Sequence, residues 1–188
     1  AVTPYYNKCT QNGIYEYYKA ISDAVHIPII CYNVPPRTGV NILPATMERI
    51  AALKNIAGVK EACGNMEQIC ETARRIRGKC DLYSGDDNLN LPILAIGGAG
   101  LISVASNIIP KETKMLYNFV QAGDLRSANE IQDKMLPLID AMFMEVNPIP
   151  AKAAAEMIGL GGGAPRAPLT ELEPAHKEQM RKILSDFG

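Results

Sequence analysis

Residues 55–65 read NIAGVKEACGN, in which an apolar run typical of a buried β-strand ends at Lys60. A lone lysine in a strand usually extends its ammonium group to water. An amine held at a strand end can instead become a nucleophile when its surroundings lower its pKa. The rest of the chain decides between these two interpretations.

The same pattern recurs along the chain: an apolar, β-branched run, then a polar turn, then a stretch with helical spacing. The runs are IPIICYN from Ile27, IAGVKEA from Ile56, CDLYSG from Cys80 and GLISVAS from Gly100. Their spacing fits a strand followed by a crossover helix, so we predict four successive βα units and a parallel sheet. Either a doubly wound sheet or part of a (β/α)8 barrel satisfies this pattern.

Helical spacing of apolar residues predicts amphipathic helices between the strands, within residues 10–25, 44–53 and 65–77. After the last strand the chain contains no obvious further strand. Helices are predicted there at 110–121, about 124–145, about 148–158 and about 171–186. We therefore assign residues 1–109 to an α/β body and residues 110–188 to its last helix and a C-terminal helical extension.

Composition excludes several functional classes. The 19 basic and 20 acidic residues give a net charge of −1, which provides no basic field for nucleic acid or an anionic membrane. The apolar run from Leu91 to Pro110 is broken by glycine and proline, so we predict no transmembrane segment. The 5 cysteines are scattered without a C-x-x-C pair, which indicates reduced thiols in the cytoplasm and no zinc site. A small molecule is the expected partner.

Polar residues cluster where the predicted strands end, which is where ligands bind in both architectures. We expect them to face a shared cleft. These residues are Tyr32, Asn33, Lys60, Glu61, Ser84, Gly85, Asp86, Ser103 and Ser106. A desolvated Lys60 can form a Schiff base with a carbonyl compound, and the phenol of Tyr32 can transfer protons. Packing at the sheet rim is the alternative for Tyr32.

Two further stretches admit both a functional and a structural interpretation. Arg37 lies in YNVPPRTG, where two prolines stiffen the loop, and a held guanidinium suits a carboxylate, although composition alone favours an ordinary exposed arginine. The adjacent Asp86 and Asp87 could bind a metal, but two aspartates before an apolar helical run more often cap that helix, which we favour.

Six motifs in order carry a family resemblance: VTPYYNK, YNVPPRTGVN, GVKEACGN, SGDDN, GGAGLISVASN and NPIPAK. Together they resemble the dihydrodipicolinate synthase family of pyruvate-dependent class I aldolases, across essentially the whole chain. The resemblance implies a (β/α)8 TIM barrel, of which the chain would be the C-terminal part with four βα units and a helical extension. It also implies that no metal or organic cofactor is required.

The resemblance further implies three catalytic roles. Lys60 would form the imine with pyruvate, and Tyr32 would relay protons. Tyr6 would reach across a subunit interface into the relay of a neighbouring subunit, so a homo-oligomer is expected.

Three residues would bind substrate on the same basis. Arg37 would order the mouth of the site and hold the carboxylate of the second substrate, L-aspartate 4-semialdehyde. Gly85 and Ile102 would supply main-chain contacts near pyruvate and the lysine.

The implied activity is the condensation of pyruvate with L-aspartate 4-semialdehyde to 4-hydroxy-tetrahydrodipicolinate, on the diaminopimelate route to lysine. In having Arg37, the chain resembles the synthases more than it resembles the N-acetylneuraminate lyase branch of the superfamily. Another aldolase of the superfamily, such as one acting on 2-keto-3-deoxy sugar acids, would keep Lys60 and Tyr32 and change the acceptor aldehyde.

The resemblance places Ala1 at the end of the fourth barrel strand, so four of eight full strands are expected here. We expect a truncated chain or one piece of a split enzyme, paired with a complementary N-terminal half or with itself, because unpaired strand edges invite pairing. A catalytically inactive module for folding or oligomerisation is the alternative.

Overall fold

Four parallel strands form one sheet in which the order in space follows the order in the chain. They are β1 (Ile29–Asn33), β2 (Ile56–Glu61), β3 (Asp81–Ser84) and β4 (Gly100–Leu101), and all four predicted strands are confirmed. This computed structural model describes residues 1–188. A doubly wound sheet reverses its strand order at a switch point, whereas successive barrel strands do not. The strand order is therefore that of a (β/α)8 barrel.

The first residues of the chain extend the sheet beside β1. The Tyr32 N–H donates to the carbonyl oxygen of Ala1 at 2.8 Å, and the Thr3 N–H donates to the Tyr32 carbonyl at 3.3 Å. Val2 and Tyr32 form a parallel bridge. Residues 1–3 thus occupy the position of a further parallel strand, next to the strand that carries Tyr32.

Five helices accompany these strands: α1 (Gln11–Ala24), α2 (Pro35–Thr38), α3 (Pro44–Ala51), α4 (Met66–Ile76) and α5 (Asn90–Ala95). Their ends follow local chemistry. The Thr10 hydroxyl accepts a hydrogen bond from the Gly13 N–H and begins α1, as predicted, and the Asn65 side chain caps α4 through the Gln68 N–H. A proline occupies the first turn of α3, where its missing N–H costs nothing.

The helices cover one face of the sheet. Cys31, Val59 and Leu82 point to that face and are buried with apolar residues of the helices. The helix residues in this core are Ile14, Tyr18, Met47, Ile50, Ala51, Ile69, Ile76 and Ile93. Alternation along each strand puts Tyr32, Lys60 and Tyr83 on the other face, where they are only half-buried. This second face is the one that a barrel turns toward its interior.

Residues Ser103–Gly188 form a second unit, separate from Ala1–Ile102. It contains α6 (Pro110–Gln121), α7 (Leu125–Ala141), α8 (Ile149–Met157) and α9 (Pro174–Phe187). Helix α7 packs against α6 and α9, and α9 also contacts α8. The four predicted helices are confirmed, although α7 ends at Ala141 and α9 begins at Pro174, where proline suits a first turn.

The assignment of residues 110–188 to a last barrel helix and an extension stays a prediction. None of the helices combines the length and the apolar character that crossing a lipid bilayer requires.

Candidate active site

Lys60 lies between two tyrosines on the half-buried face of the sheet. Tyr32 of β1 and Tyr83 of β3 are its register partners on the neighbouring strands, so the three side chains leave the sheet on the same side. The Lys60 Nζ lies 4.0 Å from the centre of the Tyr32 ring. All three positions are at the carboxyl ends of their strands, where βα folds hold their ligands.

The environment of Lys60 makes its ammonium group easier to deprotonate than that of a lysine in water. Burial is the largest influence and lowers the pKa of Lys60. The negative charge of Asp87 opposes this effect, and the positive charge of Arg37 adds to it. Because the net direction is downward, a larger fraction of this amine is unprotonated and nucleophilic than for a lysine in water.

The environment of Tyr32 favours the protonated phenol. Burial raises its pKa, the charge of Arg37 opposes that rise, and the charge of Asp86 adds to it. A protonated phenol thus lies beside an amine that loses its proton more readily than a lysine in water, which places a proton donor next to a nucleophile, the pair that carbinolamine chemistry needs.

Gly85 lies directly beside the lysine side chain. A Cβ atom at position 85 would lie 2.7 Å from the Cε and 2.8 Å from the Cγ of Lys60, so glycine provides the space that the side chain occupies. The Gly85 N–H donates to the Glu61 carbonyl at 2.8 Å, and the Ile102 N–H donates to the Ser84 carbonyl at 2.8 Å. Because both N–H groups already donate to carbonyl oxygens of the sheet, a ligand contact from either residue would use its carbonyl oxygen.

Arg37 is exposed in the last turn of α2, which two prolines begin and Gly39 ends in the left-handed conformation (φ 67°). Its charge acts on both Tyr32 and Lys60. Tyr6 is 88% exposed with a φ of 67°, and no contact joins it to Lys60 or Tyr32. The predicted role of Tyr6 in a neighbouring subunit stays a prediction.

Three of the strand-end residues expected in the cleft lie on the opposite face. Glu61 is the register partner of both Asn33 and Ser84, and all three side chains are fully buried on the helix-covered face. The expectation that they share the cleft with Lys60 is wrong for a simple reason: neighbours along a strand point to opposite faces.

The two aspartates after β3 behave differently from each other. The Asp86 side chain accepts the Asn88 N–H at 3.1 Å and caps the 3-10 turn Asp87–Leu89 that leads into α5, so the capping interpretation is confirmed for Asp86 alone. Asp87 is buried, accepts a hydrogen bond from the Asn90 amide at 2.9 Å and acts electrostatically on Lys60. No group of three or more His, Cys, Asp or Glu side chains converges to hold a metal ion.

Sequence reasoning missed Tyr83 and the effect of Asp87. Tyr83 follows Lys60 by one strand, and its register could have been found by aligning the ends of the apolar runs. Its ring lies close to Gly58, where a Cβ would be 2.8 Å from Cε2, and its hydroxyl donates to Asp81 at 3.2 Å. The Tyr83 ring thus lies over β2 at Gly58, on the amino-terminal side of Lys60.

The sequence profile of the Dihydrodipicolinate synthetase family matches residues 1–187. The chain belongs to this family. It is 50% identical over 187 residues to a 4-hydroxy-tetrahydrodipicolinate synthase of Caldicellulosiruptor bescii, covering 100% of this chain and 63% of that relative.

Solved structures of the family have the same fold. The dihydrodipicolinate synthase of Thermotoga maritima matches with a TM-score of 0.97 and 42% identity, over 100% of this chain and 65% of that one. The enzyme of Aquifex aeolicus matches with a TM-score of 0.95 and 43% identity, over 99% and 64%. The chain therefore has the fold of a portion of the family's barrel and spans less than two thirds of the relatives' length.

Proposed function

We propose that this protein acts as a 4-hydroxy-tetrahydrodipicolinate synthase, which condenses pyruvate with L-aspartate 4-semialdehyde. The observation that carries the proposal is the Lys60–Tyr32 pair. A lysine with a lowered pKa lies 4.0 Å from the ring of a tyrosine whose pKa is raised, at the carboxyl ends of two adjacent parallel strands. Membership of the family supports the choice of substrates.

The proposed chemistry begins at the Lys60 amine. Its lone pair attacks the C2 carbonyl of pyruvate, and the carbinolamine loses its hydroxyl as water with a proton supplied by the Tyr32 phenol. The resulting iminium draws electrons from C3, which loses a proton to give an enamine. The enamine carbon attacks the aldehyde carbon of the second substrate, and the new alkoxide takes up a proton.

Release of product needs no further reagent. The amino group of the second substrate attacks the iminium carbon, closes the ring and displaces the Lys60 amine by transimination. One water is lost overall, and the lysine returns to its starting state. Arg37, an exposed cation beside this site, is suited to hold the carboxylate of the second substrate.

Partners and location follow the same proposal. The exposed Tyr6 suits a homo-oligomer in which the tyrosine acts at a neighbouring subunit, and a complementary N-terminal half is the other proposed partner. All five cysteines are free thiols, which suits the proposed cytoplasmic location.

The experiment is to incubate the protein with pyruvate, reduce with borohydride and map the peptides by mass. We expect one reduced pyruvyl adduct, on Lys60. Lys60→Ala should abolish the adduct and the turnover, whereas Lys19→Ala, at an exposed lysine paired with Asp23, should leave both unchanged. An unmodified Lys60 in folded protein, or turnover by the Lys60→Ala variant, contradicts the proposal.

A screen of acceptor aldehydes separates the synthase from other aldolases. Turnover of L-aspartate 4-semialdehyde, with little turnover of sugar-derived aldehydes, is the expected result. The reverse preference would keep the Schiff-base chemistry and contradict the proposed second substrate.

A further inference from the structure

A buried polar pair lies directly behind the Lys60–Tyr32 pair, on the face of the sheet that the helices cover. Asn33 and Glu61 immediately follow Tyr32 and Lys60 in the chain and are register partners. The Asn33 Nδ2 donates to both carboxyl oxygens of Glu61, at 3.0 and 3.2 Å. Their exposed fractions are 0% and 1%, so the pair fixes the two strand ends where the site residues emerge.

The same Asn33 side chain closes the loop that carries Arg37. Its Oδ1 accepts the Ile42 N–H at 2.9 Å, and its Nδ2 also donates to the Asn41 Oδ1 at 2.9 Å. The segment 34–41 therefore leaves the strand at Asn33 and returns to the side chain of that residue. One amide thus connects the strand of Tyr32, the strand of Lys60 and the base of the Arg37 loop.

Further hydrogen bonds hold the Arg37 loop, residues 34–41, in place. The amides of Asn41 and Gln68 pair reciprocally, with N···O distances of 2.8 and 3.0 Å, which ties the loop base to α4. Inside the loop the Thr38 hydroxyl donates to the Val40 carbonyl at 3.0 Å. Because the buried Asn33 amide and the partly buried Asn41 and Gln68 amides lose their partners only at a cost in free energy, this network resists changes in the position of the loop.

We propose that Asn33 is a positioning residue, which holds the Arg37 loop against the strand of Lys60 and so sets the affinity for the carboxylate of the second substrate. The inference rests on the proposed function. Asn33 lies on the helix-covered face and therefore acts through Arg37. A small displacement of a guanidinium is enough to weaken a carboxylate contact, because such contacts depend on geometry.

A double-mutant cycle tests whether Asn33 acts through Arg37. The variants are Asn33→Ala, Arg37→Ala and the combination, and the measurement is the KM for L-aspartate 4-semialdehyde at saturating pyruvate. We expect each single variant to raise KM about tenfold, and the combination to raise it no further than the larger single effect. Multiplication of the two effects would overturn the inference, because it would make the residues independent.

Asn55→Ala is the matched control at the opposite end of the same strands. The Asn55 amide donates to the carbonyls of Val25 and Ile27, at 2.9 and 3.2 Å. Its loss should lower the melting temperature without changing KM. An equal rise in KM in this variant would show that general loosening explains the effect, and would also overturn the inference.

Amide hydrogen exchange provides a readout that does not depend on activity. Asn33→Ala should increase exchange in residues 34–43, whereas Asn55→Ala should not. Asn41→Ala removes the side-chain hydrogen bonds of the loop base to Asn33 and Gln68 and leaves the Asn33–Glu61 pair, so it provides a second variant should Asn33→Ala fail to fold.

The two proposals fail in distinguishable ways. Absence of a pyruvate adduct on wild-type Lys60 contradicts the proposed function, whereas unchanged exchange of residues 34–43 in both Asn33→Ala and Asn41→Ala overturns the positioning role.

Discussion

Tyr32 and Lys60 are register partners on adjacent parallel strands, and the ammonium nitrogen of the lysine lies 4.0 Å from the centre of the tyrosine ring. The ring and the hydroxyl of Tyr32 therefore have separable effects. The ring supplies apolar surface and a cation–π contact to the lysine, whereas the hydroxyl is the group that can donate a proton.

Tyr32→Phe should separate these effects. The phenylalanine ring keeps the contact with Lys60, so the pyruvate adduct should still form on borohydride trapping, although more slowly because the carbinolamine loses its proton donor. Turnover should fall by about 10² to 10⁴, the range associated with loss of a general acid or base. The measurements are adduct yield by mass and steady-state kcat. Tyr117→Phe, in α6 of the second unit, is the control, and wild-type turnover in Tyr32→Phe contradicts the proton-transfer role.

Gly85→Ala should disable Lys60 without unfolding the sheet. The new methyl group would lie 2.7 Å from the Lys60 Cε, so the end of the lysine side chain must move away. We expect the rate of adduct formation to fall at least about tenfold, because a displaced nucleophile loses its alignment with the carbonyl. Gly100→Ala is the control, since its methyl would meet the Tyr83 ring at an ordinary 3.4 Å. Equal adduct rates in both variants would contradict the prediction.

Opposite charges near Lys60 should move its titration in opposite directions. Arg37 lowers the pKa of Lys60 and Asp87 raises it. Arg37→Ala should therefore shift the rise of imine formation to higher pH, and Asp87→Asn should shift it to lower pH. The measurement is the initial rate of imine formation against pH, quenched with borohydride.

Two controls distinguish an electrostatic effect from general disruption of the structure. Asparagine at position 87 can still accept the Asn90 hydrogen bond, so local structure is preserved. Arg74→Ala, at an exposed arginine paired with Glu71, should leave the profile unchanged. Shifts of Arg37→Ala and Asp87→Asn in the same direction would indicate general disruption and contradict the electrostatic account.

The sequence predicted the strands, the helices and the position of Lys60, because these depend on local hydrophobic patterns. It did not predict which strand-end residues share a face. Asn33 and Glu61 were expected in the cleft, yet strict alternation puts them behind it once Tyr32 and Lys60 face forward. Because the alternation of side chains is visible in the sequence, this part of the site is predictable once the face of Lys60 is known.

Other features depend on contacts that no local pattern contains. The closure of the Arg37 loop requires the Asn33 side chain to reach Ile42, nine residues away, and the Asp87 side chain is only 3% exposed in the folded chain. Capping chemistry correctly predicted the role of Asp86. It could not predict that the next aspartate acts on a lysine in another strand.

Glu61 should make the stability of the protein fall as pH rises. Burial raises the pKa of Glu61 above 4.5, although hydrogen bonds from Asn33 and Cys63 oppose the rise. Above pH 4.5 the unfolded chain releases this proton while the folded chain retains it, so the folded state binds more protons. The contribution from Glu61 is therefore full below pH 4.5 and is lost as pH rises through the folded pKa.

Glu61→Gln removes this titration and tests the sign of the effect. Glutamine can still accept hydrogen bonds from Asn33 and Cys63, but its NH₂ group faces the Asn33 donor, so a pH-independent loss of stability is expected. Urea unfolding at a series of pH values from 4.5 upward should show the wild type losing stability relative to this variant. Glu130→Gln, at an exposed glutamate paired with Arg126, should show the same dependence of stability on pH as the wild type. Parallel curves for Glu61→Gln would mean that Glu61 ionises in the folded protein as readily as in the unfolded chain, so that the amide and main-chain donors outweigh its burial.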